Sequence, residues 1–279
     1  MNELMEGLGK AESLTHASQS AHQTGFTPDQ AKKLHAAEVI ISPDANIAPG
    51  LAKTLAKRTE EGALVIYLTK LGAVEALPYR ARNPFLSAGH AHKKKSKQLD
   101  PHFWLDPLRV ANMLPALADK IATYWPEDKA GLKRNATRIA LRLRAEVHPE
   151  IMNIIAEAKQ RQSDSSKTVP VMTYHDAYQY FQKRYGLESG YITQRPEEYT
   201  GAKTMQELLK TANQTHVRCL FSETKNQHAQ RIAELTKASI IIVNPERAYE
   251  SNEVPPAPWA RNGYDRMLMA VAKAYASCL

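Results

Sequence analysis

A histidine at the junction between a buried strand and a helix is the feature that most restricts the fold of this chain. Residues 169–173 predict a short buried strand, and Tyr178 and Phe181 mark one face of a helix that ends at Gly186. His175 lies between the two elements. In an open α/β sheet, side chains at the carboxyl end of a strand project into the crevice that binds ligands. The stretch therefore predicts an α/β unit with His175 as a candidate ligand-binding residue.

A second segment has the same local plan. It reads Asp100-Pro-His-Phe-Trp-Leu-Asp-Pro107, in which His102 precedes a turn, and Asp106 with Pro107 predicts an N-cap and the first residue of a helix. A lone histidine at such a boundary is more often a structural hydrogen-bonding residue than a ligand. Two histidines at comparable boundaries, one in each half of the chain, favour a shared binding role instead.

These two segments resemble a known family. Asp-Pro-His-Phe-Trp-Leu-Asp-Pro at 100–107, followed about seventy residues later by His-Asp-Ala-Tyr at 175–178, is similar to the zinc-binding periplasmic component of metal-uptake ABC transporters. The resemblance runs over nearly the whole chain. It implies an α/β fold of two lobes, each a small, mostly parallel sheet flanked by helices. One long helix would join the lobes, and the metal site would lie in the cleft between them.

The hydrophobic pattern agrees with that organisation. Short strands alternate with helices, which favours parallel sheets. From 126 to 162, apolar residues recur at helical spacing, which predicts one long helix with a bend near Pro149. We therefore assign residues 1–125 to the amino-terminal lobe, 126–162 to the linking helix and 163–279 to the carboxy-terminal lobe. A strand is predicted at 12–15, and the family's first strand is expected to be missing from this sequence.

The resemblance also implies the metal ligands. Residues 27–30, Thr-Pro-Asp-Gln, predict a capped helix start. His22 lies six residues before Pro28, as the family's first metal histidine does. The expected ligands of Zn²⁺ are therefore His22 and His102 from the first lobe and His175 from the second. Neutral imidazole suits zinc, and three histidines leave a fourth position for water.

Asn244 occupies a possible fourth-ligand position. Many family members carry an aspartate there, just after the last strand of the second lobe, whereas this chain has Val243-Asn244-Pro245. An amide oxygen is a poorer zinc ligand than a carboxylate, and manganese depends on carboxylates. The site is therefore expected to prefer zinc to manganese. Because histidine must be neutral to bind, its affinity should fall below about pH 6.5.

Residues 88–97 form a polar loop that contains His90 and His92 among four lysines. Two histidines in a mobile loop would provide weak accessory capture of zinc, although the lysines disfavour a dication and a plain solvated loop is the alternative. The formal net charge of +8 is otherwise scattered along the chain. No nucleic-acid-binding motif accompanies it, so we expect no nucleic-acid partner.

Cys219 and Cys278 are the only cysteines in the sequence. In a cytosolic protein both would be free, whereas in an exported protein they would be oxidised if close enough in space. The resemblance favours a disulfide, because some zinc-type relatives join this strand to the end of the chain.

The resemblance implies a periplasmic protein, but residues 1–10 lack the basic and apolar regions of a signal peptide. We therefore expect the natural start to lie upstream, with a cytoplasmic variant as the alternative. No apolar run approaches the roughly 18 to 20 residues that span a bilayer.

The predicted function is high-affinity zinc binding and delivery of zinc to the permease of an ABC transporter in the inner membrane. The protein would act as a monomer and would not be an enzyme. One alternative is a degenerate paralogue that serves as a metal chaperone or partner-binding module. Another is a zinc hydrolase, for which Asp106, Asp176 and Glu223 are candidate bases by proximity in sequence, although no catalytic motif is visible.

Overall fold

The computed structural model describes the chain except for residues 16–21, 23–24, 46, 49, 87–97, 162–169, 196–197, 251 and 254–256. His90 and His92 lie outside the described residues. The chain divides into two compact units. Unit 1 comprises Met1–Leu77 and Gln98–His148, and unit 2 comprises Pro78–Lys97 and Pro149–Leu279. The lobe boundaries assigned from the sequence stay predictions.

Unit 1 contains a parallel pair of strands with flanking helices. Its elements are α1 (Pro28–Ala36), β1 (Val39–Ser42), α2 (Leu51–Glu60), β2 (Leu64–Tyr67), α3 (Pro107–Ile121) and α4 (Lys129–Arg142). Val39 pairs with Leu64 and Ser42 with Tyr67. A small core of Leu34, Ile40, Leu55 and Ala63 packs the helices against the sheet.

Local chemistry defines the starts of α1 and α3. Thr27 and Gln30 form the predicted capping box, with Pro28 at the start of the helix. Asp106 caps α3 by accepting a hydrogen bond from the backbone of Leu108 at 3.0 Å. The predicted strand at 12–15 is wrong, because these residues have no strand structure. The carbonyl of residue 14 accepts instead from Nε2 of Gln30 at 2.8 Å.

The helix predicted for 126–162 is a continuous helical stretch with an internal irregularity. After α4, a π turn spans Leu143–Val147, and α5 follows at His148–Arg161. Pro149, the second residue of α5, has no N–H for the helical ladder, so the hydrogen-bond pattern changes in the turn just before it. Among the described residues, none of the helices has the length and apolar character needed to cross a membrane.

Unit 2 is built on a parallel sheet with strand order β4-β3-β5-β6. Its remaining elements are β3 (Val171–His175), α6 (Gln179–Tyr185), β4 (Gly190–Thr193), α7 (Ala202–Gln214), β5 (Cys219–Ser222), α8 (Gln227–Thr236), β6 (Ser239–Ile242) and α9 (Gly263–Cys278). His175, predicted to lie between the strand and the helix, is the last residue of β3, two residues beyond the predicted end of the strand. Gly186 ends α6 with a φ of 60°, a left-handed conformation that glycine adopts without strain.

A disulfide joins the sheet of unit 2 to the last helix. Cys219, the first residue of β5, is bonded to Cys278, the last residue of α9, with their Cα atoms 6.0 Å apart. The pairing suggested by the resemblance is confirmed. Both cysteines are buried.

We expect Gly190→Ala to destabilise unit 2. A Cβ atom at residue 190 would overlap the ring of Phe85, which is 1% exposed and packs in the core of unit 2. Overpacking of this kind costs about 1–3 kcal/mol in the free energy of unfolding. The control is Gly25→Ala, since nothing lies within 4 Å of the added carbon there. Urea unfolding should show a clear loss for Gly190→Ala and a change below about 1 kcal/mol for the control. Equal midpoints for the two variants would contradict the predicted overlap.

Candidate metal centre

His22 and His102 form a buried pair in unit 1. Their Nε2 atoms are 3.2 Å apart, and their ring centroids are 5.3 Å apart. His22 and His102 are 3% and 0% exposed, so both residues are almost completely shielded from solvent. The two residues predicted as ligands from this half of the chain are thus brought together, although 80 positions separate them in the sequence.

Asp100 orients the ring of His102. Its Oδ1 lies 2.6 Å from Nδ1 of His102 and also accepts from the His102 backbone N–H at 3.0 Å. A carboxylate is an acceptor, so it favours the tautomer that carries the proton on Nδ1. The lone pair of Nε2 then points toward His22. Metal-binding histidines usually have this arrangement, in which a carboxylate fixes the ring through the nitrogen that does not bind the metal.

The chain after His102 fixes its backbone position. A 3₁₀ turn at Phe103–Leu105 leads directly into the capped start of α3, and both ends of the turn are buried apolar residues. The indole of Trp104 packs against the imidazole of His102, with ring centroids 5.2 Å apart. Hydrophobic anchoring on one side and a helix cap on the other therefore hold the histidine at this boundary.

In unit 2, His175 is paired with carboxylates. Its Nδ1 lies 3.1 Å from Oε1 of Glu223 and 3.9 Å from Oε1 of Glu246. His175 is 1% exposed, and the side chain of Glu246 is 2% exposed. Glu223 therefore stands to His175 as Asp100 stands to His102, and the same reasoning leaves Nε2 of His175 available to a metal.

Parallel strands explain why these side chains meet. β3 and β6 lie on either side of β5 in the sheet. Glu223 directly follows β5, and Glu246 lies four residues after the end of β6. The carboxyl ends of parallel strands share one edge of the sheet, which is where such folds collect ligand-binding side chains.

Asn244 supports the turn that carries Glu246. Its backbone N–H donates to the hydroxyl of Tyr249 at 2.7 Å, and its Oδ1 accepts from the backbone N–H of Glu246 at 2.8 Å. The oxygen at the possible fourth-ligand position is therefore engaged within its own turn. Glu246 was not predicted from the sequence. The available signal was an acidic residue two positions beyond Asn244, after the same strand.

Two of the candidate general bases have structural contacts. Asp106 caps α3 and lies 3.3 Å from Nε of Arg109, and Asp176 forms a salt bridge with Arg80. Glu223 is the candidate that contacts a predicted metal-binding histidine. Its geometry is that of a group that orients the imidazole.

Solved structures share this fold. The crystal structure of a ZnuA protein superimposes with a TM-score of 0.74 at 17% identity, covering 99% of this chain and 93% of that one. The periplasmic zinc-binding protein TroA from Treponema pallidum gives a TM-score of 0.74 at 15% identity, with 99% and 93% covered. These two likenesses show that this chain has the fold of those solved structures.

The family is more specific than the fold. The family model described as ZnuA, zinc-uptake complex component A, periplasmic, matches residues 2–278. This chain belongs to that family. The high-affinity zinc uptake system protein ZnuA of Brucella abortus strain 2308 is 24% identical over 307 residues, covering 99% of this chain and 87% of that protein.

Proposed function

We propose that this protein binds Zn²⁺ with high affinity in the periplasm and delivers it to the permease of an ABC transporter in the inner membrane. It acts as a monomeric binding protein and not as an enzyme. Membership of the zinc-uptake family supports this proposal, as does the match along 99% of the chain to a curated zinc uptake protein.

The observation that carries the proposal is the spacing of the two histidines in unit 1. With Zn–N distances of about 2.0–2.1 Å and tetrahedral angles, ligand nitrogens lie about 3.3–3.4 Å apart. The Nε2 atoms of His22 and His102 are 3.2 Å apart, and the Asp100 carboxylate favours the tautomer of His102 that leaves Nε2 to bind zinc. The pair is therefore organised for zinc with little further movement.

The proposed ligand set is His22, His102 and His175, with Glu246 supplying a carboxylate oxygen. Asp100 and Glu223 orient two of the rings through Nδ1. Three imidazole nitrogens and one carboxylate oxygen match the ligands and the coordination number that zinc adopts in proteins. Manganese favours more oxygen ligands, so this set prefers zinc.

Metal competition tests the proposal. At neutral pH, zinc should bind the metal-free protein more tightly than manganese. Glu246→Gln should weaken zinc binding by about tenfold and manganese binding by more, because the harder ion depends more strongly on a charged oxygen ligand. The matched control is Glu250→Gln, which changes an exposed glutamate in the same loop. Both affinities are measured by titration against a chromophoric chelator.

Two results would contradict the proposal. Absence of zinc binding by the unaltered protein would refute the function itself. Manganese binding as tight as zinc would refute the ligand set, as would equal effects of the substitutions at residues 246 and 250.

A further inference from the structure

Arg80 and Asp176 form a buried ion pair directly beside His175. Nε of Arg80 donates to Oδ2 of Asp176 at 2.9 Å, and a second guanidinium nitrogen donates to Oδ1. The third nitrogen donates to Oε1 of Gln182 at 3.0 Å. The side chain of Asp176 is 1% exposed and that of Arg80 is 16% exposed. Asp176 is the residue that follows His175, so the pair is linked to the predicted ligand through one peptide bond.

Arg80 comes from a segment of unit 2 that is far from Asp176 in sequence. This strap, residues 78–86, lies 96 positions before Asp176 at the point of contact. Asn83 donates to the carbonyl of Tyr191 at 2.6 Å, and Gln194 donates to the carbonyl of Arg80 at 2.9 Å. Phe85 is buried in the core of the unit. The guanidinium is thus supplied by a fixed piece of backbone.

Stability alone is a weak reason for such a pair. Buried ion pairs lose their hydration, and replacing one with apolar residues is often neutral or stabilising. The guanidinium here has a planar, two-pronged contact with the carboxylate, a geometry that lysine does not reproduce. Burial alone would lower the pKa of Arg80, but the Asp176 carboxylate raises it above its ordinary value. The two-pronged contact therefore fixes the direction of the carboxylate.

The residue that carries this carboxylate also takes part in the backbone hydrogen bonds around His175. The N–H of Asp176 donates to the carbonyl of Thr193 at 3.0 Å, and the N–H of Ala177 donates to the carbonyl of His175 at 3.0 Å. Without its arginine, the buried Asp176 charge would turn toward another cation or toward water, and the connection between β3 and α6 would move with it. The imidazole of His175 must stay within hydrogen-bonding distance of Glu223, so movement there disturbs the ligand directly.

We propose that Arg80 is a positioning residue for zinc binding, which anchors Asp176 and thereby holds His175 in the orientation set by Glu223. It also keeps the Asp176 carboxylate out of the ligand set. This inference rests on the proposed function and adds a requirement to it: part of unit 2's metal-binding geometry is set by the strap.

The test compares Arg80→Ala, Arg80→Lys and Asp176→Asn with the control Arg82→Ala, an exposed arginine of the same strap. Loss of a residue that supports a metal ligand typically weakens binding by about 10- to 100-fold. We expect that loss of zinc affinity for Arg80→Ala and Asp176→Asn, a smaller loss for Arg80→Lys, and a change within about twofold for Arg82→Ala. Combining Arg80→Ala with Asp176→Asn should weaken zinc binding little more than either change alone, because the pair acts as one unit.

A second readout separates positioning from general support of the fold. Co²⁺ is titrated into each variant, and its visible absorption reports the geometry of the ligands. We expect an altered spectrum for Arg80→Ala and Asp176→Asn, with the unaltered spectrum for Arg82→Ala. Thermal unfolding of the metal-free proteins is measured in parallel.

A lower melting temperature for Arg80→Ala with unchanged zinc affinity and cobalt spectrum would overturn the proposal. If Arg80→Ala does not fold, Arg80→Lys and Asp176→Asn decide by the same criteria. The unaltered protein is titrated alongside, and its failure to bind zinc would contradict the proposed function and not the role of Arg80 in particular.

Discussion

His102→Ala is expected to weaken zinc binding by at least about tenfold, and by more than any substitution of a supporting residue, whose loss typically has 10- to 100-fold effects. The substitution removes a nitrogen ligand and also leaves Asp100, which is 1% exposed, without the ring that it orients. A buried carboxylate that loses one of its hydrogen-bond partners is costly, so the pocket will also rearrange. His22→Ala and His175→Ala should each weaken binding at least tenfold as well, since each removes one proposed ligand. The affinity is measured by chelator competition at neutral pH.

The control for these three variants is the double substitution His90→Ala and His92→Ala. Those histidines belong to the lysine-rich segment 88–97, and replacing them is expected to change zinc affinity little. If the loop variant lost more affinity than any of the three single variants, the ligand set would be misplaced. Circular dichroism of each metal-free variant shows whether the protein is still folded, so that a loss of zinc affinity is not caused by unfolding.

Much of this fold was predictable because local chemistry marks its element boundaries. Asp106 and Pro107 define the start of α3, and Gly186 defines the end of α6. The position of His175 at the end of β3 follows from the same short-range pattern. Caps, prolines and left-handed glycines act within a few residues, so a single sequence contains all the information that they need.

The parts that were not predicted depend on contacts between distant residues. The strap that carries Arg80 packs against the rest of unit 2, and nothing near residue 80 in the sequence indicates that its partner is Asp176. Glu246 approaches His175 because their strands end at one edge of the sheet, and strand order is not readable from either segment alone. The predicted strand at 12–15 was wrong for a related reason. A strand must pair with a neighbouring strand, and a local sequence pattern does not show whether one is available.

The candidate site shows the same division. His22, His102 and His175 were identified through motifs that resemble a family. The sequence indicated their carboxylate partners less completely. Asp100 lies within the motif of His102, Glu223 was predicted only as a candidate base, and Glu246 was not predicted. The structure assigns Asp100 and Glu223 the same contact, with Nδ1 of a histidine in each unit.

Replacing both Cys219 and Cys278 with alanine is expected to lower the free energy of unfolding by more than Gly190→Ala does. The bond joins residues separated by 59 positions in the sequence. Because it restricts the unfolded chain over that length, it contributes about 4 kcal/mol to the free energy of unfolding, less any strain in the folded protein. Both positions are buried, so the alanines lose packing as well. Urea unfolding of the oxidised protein and of the double variant measures the difference. Reduction should destabilise the unaltered protein and leave the double variant unchanged.

Zinc affinity should respond differently to this change. Cys219 begins β5, whereas Glu223 follows the other end of the same strand, beside His175. The disulfide therefore lies at the edge of the sheet opposite the metal-binding side chains of unit 2. We expect the folded double variant to bind zinc within about threefold of the unaltered protein, since the hydrogen bonds that orient His175 remain and a disulfide acts mainly on the unfolded chain. Two labelled thiols in unfolded, unreduced protein from an oxidising compartment would contradict the bond. A loss of zinc affinity as large as that of His175→Ala would show that the two ends of β5 are coupled.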